Sequence, residues 1–140
     1  LAAWRTFLRA QSNVTTMLDR ELANEHGLGE ADYEVLIHLY ETKDNSLRMT
    51  ELARSVLLSP SGLTRRLDGL VKGGYVERQP CPSDGRGLLA VLTDKGREKV
   101  KTMTATHVSG VRAHFTNRMT RTEREVRIVA VHAGAHGRRP

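Results

Sequence analysis

Aromatic side chains make up only 4% of the 140 residues, too few for single-strand recognition by rows of stacked rings. The single cysteine, Cys81, excludes a disulfide framework within the chain and suits a reducing compartment. No apolar run approaches the ~20 residues of a membrane-spanning helix. The first residues lack the charged-then-apolar pattern of a secretory signal, so the expected location is the cytoplasm, with no membrane partner. Three or four converging ligands, which a metal site needs, are not evident. His107 and His114 share one helix face, His26 and His38 lie elsewhere, and each reads as a satisfied surface or interface histidine. Phosphate loops and nucleophile–base sets are missing too, so neither an enzyme nor a cofactor is expected.

What remains is an ordinary globular composition, 39% hydrophobic and 27% charged, enough for one modest domain with its own core. The net charge of +6 points to an anionic partner, nucleic acid before membrane. That charge is unevenly placed. From Arg112 to Pro140 seven arginines face two acids, which accounts for five of the six units. Basicity alone is therefore weak evidence, and the middle of the chain has to carry the argument.

Trp4, Phe7, Leu8, Val14, Leu18 and Leu22 recur at helical spacing and predict a long amphipathic first helix, broken at His26–Gly29. Tyr33, Leu36, Ile37 and Tyr40 predict a second, closed by the polar loop Lys43–Ser46. Met49, Leu52, Ala53 and Val56 predict a short third. Ser59-Pro60 then starts a fourth, because serine caps orphan amides and proline suits the first helical position. Its apolar side is Leu63, Leu67, Leu70 and Val71, and it stops at Gly73-Gly74. The period then changes. Tyr75–Arg78 and Leu88–Leu92 read as two strands around a tight loop from Pro80 to Gly87. Thr93 caps a long fifth helix with Val100, Met103, His107, Val111 and Phe115 inward. Thr120–Glu123 fits a capping box opening a sixth, which fades at Gly134.

Two short helices, a turn, a Ser-Pro-Ser helix and a hairpin compose a winged helix-turn-helix: a mostly α fold with a small β-hairpin. A helix fits the major groove and its N-terminal residues reach base edges and phosphates. With the leucines inward, Ser59, Ser61, Gly62, Thr64, Arg65 and Arg66 form the prospective DNA side. Small groups allow close approach, free amides favour a phosphate, and Arg65 suits a bidentate pair with guanine. In the loop, Arg86 is placed to enter a minor groove, with Asp84 two residues away to orient it. The same loop residues serve equally well as an ordinary Asp-Gly turn.

These residues also carry a resemblance. Met49–Ala53, Leu58–Leu67, Gly73–Arg78, Asp84-Gly85-Arg86 and Leu92–Arg97, in this order and spacing, resemble the MarR family of bacterial regulators. The resemblance covers about half the chain closely. It implies one protomer over residues 1–140, with a winged lobe at about 29–97 and dimerising helices at 1–28 and 98–140. It implies a homodimer reading an inverted repeat in double-stranded DNA, with Ser61, Thr64 and Arg65 at recognition-helix positions and Arg86 at the wing position. Many members are repressors released by a small phenolic or lipophilic effector. Gly87 stands where members often carry charge, and Ala133–Gly137 closes the last helix earlier than is usual.

In such a helical dimer Trp4, Phe7, Tyr33, Tyr40 and Phe115 serve either as an apolar effector cleft or simply as core. Cys81 reads as an incidental surface cysteine, with redox sensing through it as the alternative. A rival of another class is a winged-helix scaffold for protein contact, which predicts an apolar outer face on the fourth helix.

Overall fold

The computed structural model describes residues 1–56, 58–82 and 87–120. Five helices, α1 (Ala2–His26), α2 (Glu30–Tyr40), α3 (Met49–Ser55), α4 (Pro60–Lys72) and α5 (Asp94–His114), surround a small sheet, and a 3₁₀ turn (Thr116–Arg118) follows α5. The expected mostly α winged helix-turn-helix is the fold found. The expected sixth helix lies outside the described residues.

The sheet has three strands rather than the two expected. Besides β2 (Val76–Pro80) and β3 (Leu88–Leu92) there is β1 (Ser46–Arg48), and the order is β1-β3-β2, all antiparallel. β1 is only three residues long, so it shows no alternation, and its partners Leu89–Val91 lie far along the chain. Asn45, with φ at 50°, turns the chain into it, and its carbonyl accepts the amide of Leu92 at 2.8 Å. β2 also begins one residue later than its sequence pattern indicates, because Tyr75 spends its amide on the Leu70 carbonyl that ends α4.

α2 is the central helix. Tyr33, Val35, Leu36 and Leu39 are all buried, so it is covered on more than the one stripe expected, while Ile37 is half-buried and Tyr40 exposed. Leu52 from α3, Leu63, Leu67 and Leu70 from α4, Ala90 and Leu92 from β3, and Val100 and Met103 from α5 complete one core. Each leucine so buried contributes roughly 1.5–3 kcal/mol.

α1 and α5 run antiparallel. The His26 carbonyl meets Lys99 Nζ at 2.6 Å, His26 meets Thr106, and Glu21 meets His114. Gly27, with φ at 71°, ends α1 in the left-handed conformation that glycine adopts without a Cβ penalty. Because of this pairing the first half of α1 projects past the end of α5. Leu18 and Leu22 are buried, but Trp4, Phe7 and Leu8, on the same helical stripe, are exposed. Phe115, whose spacing places it inward, ends α5 and is exposed as well. The apolar face is there as expected, and of its residues Leu18 and Leu22 are the buried ones.

Candidate nucleic-acid interface

α4 begins where the sequence places it. The Ser59 hydroxyl oxygen accepts the Gly62 amide at 3.1 Å, Pro60 follows at the first helical position, and the Ser59 carbonyl accepts the Leu63 amide. The Gly62 amide is thus satisfied by the cap, the Leu63 amide makes the first intrahelical bond, and proline has no amide to satisfy. Ser61 N–H belongs to this first turn, whose amides have no acceptor within the helix. The Ser61 hydroxyl sits 3.3 Å from that of Ser59, and the Thr64 hydroxyl donates to the Pro60 carbonyl at 3.0 Å. Both hydroxyls keep acceptor capacity towards solvent.

Leu63, Leu67 and Leu70 turn inward, while Ser59, Ser61, Thr64 and Arg65 are exposed and Gly62 is half-buried. Arg65 has no ion-pair partner among the described residues. Arg66 departs from the expected outer face: it is half-buried, and its Nη1 lies 3.5 Å from Asp32 Oδ2 on α2. The adjacent arginines therefore differ: Arg65 is exposed, and Arg66 lies against α2.

The far end of α4 is braced by groups that sequence reasoning missed. Arg78 on β2 donates to Asp68 Oδ1 at 2.6 Å and joins the hairpin to α4. Lys95 donates to the Gly73 carbonyl at 2.7 Å and lies 4.7 Å from the centre of the Tyr75 ring, a cation–π contact at the helix end. Thr93 caps α5 by accepting the Gly96 amide and also donates to the Gly74 carbonyl at 2.8 Å. Such ties join residues distant in sequence, and no local pattern announces them.

Asp84 and Arg86 lie outside the described residues. The base of their loop is fixed: the Cys81 amide donates to the Gly87 carbonyl at 2.8 Å, and Pro80 pairs with Leu88. Cys81, expected at the surface, is instead buried in this base at 6% exposure. Burial denies the access that a reactive thiol needs, which removes support from the redox reading.

The five aromatic candidates are not gathered into one cleft. Trp4 and Phe7 stack on each other on the projecting half of α1, with ring centres 5.8 Å apart. Tyr33 is core: its hydroxyl bonds Thr104 on α5 at 3.1 Å, its ring stacks on His107, and burial pushes its pKa above the ordinary value despite that bond. Tyr40 and Phe115 are exposed at the ends of α2 and α5. A groove of about 450 Å³ does lie between α1 and α5, but Glu21, Glu25, Thr106 and Ser109 line it and none of the five does.

The histidines of this helical region are engaged. His107 meets Glu30 at 3.0 Å, His114 meets Glu21 at 2.6 Å, and His26 meets Thr106, which donates to Glu25. Among the described residues no three candidate ligands form a metal group, and no helix is long and apolar enough to cross a membrane.

The architecture can now be placed among known proteins. A model of the MarR family matches residues 26–87. The chain superposes with a TM-score of 0.86 on Sco3205, a MarR family transcriptional regulator from Streptomyces coelicolor in complex with DNA, at 34% identity and over 99% of this chain and 87% of that one. The chain belongs to the MarR family. It is also similar to AbsC, a MarR family regulator of the same organism, with a TM-score of 0.79 and 32% identity over 96% of this chain and 94% of that one. The HTH-type transcriptional repressor YetL of Bacillus subtilis is 32% identical over 65% of this chain, which spans about half (54%) of that relative's length. The MarR family is one of transcription regulators, not of enzymes. Within this MarR chain α3 and α4 are the helix-turn-helix and β2–β3 the wing.

Proposed function

We propose that the protein is a transcriptional repressor that binds double-stranded DNA as a homodimer, with α4 in the major groove and the wing beside it. The observation that carries this reading is the division of α4: three leucines buried, and Ser61, Thr64 and Arg65 exposed at its N-terminal end. Hydroxyls and a guanidinium at that end match what base edges and phosphates accept. A protein-contact scaffold would instead present an apolar face there, and this face is polar. Sco3205, similar along almost the whole chain, is a regulator in complex with DNA, which supports the same choice.

The winged lobe is residues 29–97, and the flanking helices, 1–28 and 98–140, dimerise. Support comes from Trp4 and Leu8, large apolar side chains exposed on the projecting half of α1. A second copy of the chain is the occupant that two-fold symmetry and an inverted-repeat operator require. Half-sites then lie about one helical turn apart, ~34–36 Å. Arg86, with Asp84 beside it, reaches the flanking minor groove. The repressor occludes a promoter in the cytoplasm and is released by a small aromatic or lipophilic effector. Trp4, Phe7 and Phe115 line that effector's cleft once two protomers meet, whereas Tyr33, already in the core, is at most its floor.

Selection of bound duplexes from a random pool, followed by gel-shift titration at several salt concentrations, tests the reading. A pseudo-palindrome bound by two protomers is expected. Equal affinity for every sequence would overturn it.

A further inference from the structure

Asp32 is the one charged side chain among the buried residues described, at 8% exposure. A buried carboxylate needs hydrogen bonds and a counter-charge to offset its lost hydration. Its Oδ2 accepts the Gly29 amide at 3.1 Å at the start of α2, and the charge opposite it is Arg66 Nη1 on α4, at 3.5 Å.

The first turn of α2 is itself a fixed platform. The Glu30 amide donates to Asp19 on α1 at 2.9 Å, Glu30 Oε1 meets His107 on α5 at 3.0 Å, and the Tyr33 hydroxyl meets Thr104 on α5. Arg66 extends that platform to α4. The polar ties of α4 to other elements are otherwise at its C-terminal half, through Asp68 and Gly73. The hydrogen bonds of Ser59, Gly62 and Thr64 stay within α4. Among the described residues, then, Arg66, at the middle of α4, provides the ionic tie closest to the helix's N-terminal end. Leucine burial holds a helix down but is non-directional; an ion pair at a fixed flank resists rotation about the helix axis.

We infer that Asp32 and Arg66 are positioning residues: their pair sets the rotation of α4 and therefore the direction in which the neighbouring Arg65 leaves the surface. Arg66 is on this view no DNA contact, although it stands next to one. The inference rests on the proposed reading of α4 as the DNA-binding helix.

The test compares the wild type with Arg66→Gln, Asp32→Asn, the double variant and Arg66→Lys, each titrated against the selected duplex over a range of salt concentrations. Asparagine keeps an acceptor for Gly29, and circular dichroism verifies folding. Arg66→Gln and Asp32→Asn should each weaken binding about 3- to 10-fold, a range held low because Arg66 is partly exposed. The double variant should be no weaker than either single one, lysine should restore most of the affinity, and the slope of affinity against salt should stay unchanged throughout. If Arg66 were a phosphate contact, its loss would lower that slope by about one and Asp32→Asn would free it to bind more tightly. Either of these results, or additive losses in the double variant, overturns the inference. Failure of the wild type to prefer any sequence would instead sink the DNA reading. The pairing would then be judged by a double-mutant cycle in denaturant unfolding, where absence of coupling overturns it.

Discussion

The Ser59 hydroxyl oxygen and the Gly62 amide nitrogen, 3.1 Å apart, close the first turn of α4. This cap stands on the surface proposed to meet DNA, so one side chain shapes both the helix and the interface. Ser59→Ala should cost about 1 kcal/mol of stability, as loss of an N-cap typically does. Ser59→Asp should keep the cap and the stability, because a carboxylate accepts the same amide and suits a helix N-terminus. It should nonetheless weaken DNA binding more than alanine does, by setting a negative charge against the phosphates. Denaturant melts beside gel-shift titrations check this. If the aspartate variant bound DNA as well as the wild type, the N-terminus of α4 would be facing away from the duplex.

Arg65 leaves α4 on the exposed side, one residue before Arg66 turns back to Asp32. Arg65→Ala is expected to cost roughly 1–3 kcal/mol of DNA affinity and to relax preference at one base position of each half-site. Repeating the random-pool selection with the variant reads out the second effect. Uniform weakening on all sequences would make Arg65 a phosphate contact.

The sequence made α4 legible because its signals are local: a capping serine, a proline at the first turn and leucines at helical spacing. The hairpin was legible for the same reason. Other features were decided by pairings across the chain. β1 exists because Ser46–Arg48 find Leu89–Val91, and three residues carry no period of their own. Arg66 looked like its neighbour Arg65 until Asp32, thirty-four positions earlier, claimed it. Cys81 between two prolines reads as surface, yet its amide closes the wing base and it is buried there. For Trp4, Phe7 and Phe115 the periodicity was right about an apolar face, but periodicity does not say whose surface covers that face.

Tyr33 gives a pH dependence of known sign. Burial raises its pKa above 10.0, against the opposing bond to Thr104. In the unfolded chain the hydroxyl ionises at its ordinary value while the folded form stays neutral, so the unfolded state loses protons first. The stability due to the neutral buried phenol is therefore complete below pH 10 and is lost as pH climbs towards the raised folded value. Tyr33→Phe should lose roughly 0.5–1.5 kcal/mol near neutrality with the Thr104 bond. It should also fall less steeply than the wild type above pH 10. Parallel slopes for the two proteins in alkaline melts would mean that Tyr33 does not titrate as a buried group.

The wing prediction concerns Arg86, whose loop is closed at its base by the bond from the Cys81 amide to the Gly87 carbonyl. Arg86→Ala should weaken DNA binding and reduce the slope of affinity against salt by about one, the signature of one lost phosphate neighbour in a narrow groove. Unchanged affinity and slope would leave the wing without the role proposed for it.

The last prediction separates assembly from folding. Trp4 and Leu8 are 58% and 43% exposed and share a stripe with the buried Leu18 and Leu22, so their half of α1 gives the single chain's core little. Leu8→Glu should therefore leave the midpoint of unfolding of the isolated protomer nearly unchanged. A carboxylate on the stripe that a second copy covers would, by contrast, be desolvated without a partner, at a cost of several kcal/mol to association. Sedimentation equilibrium should show the wild type as a dimer and the variant as a monomer at the same concentration. DNA affinity should fall with the dimer, because each protomer then grips a single half-site and loses the gain of simultaneous engagement. A variant that remained dimeric would place the interface elsewhere than on the projecting half of α1.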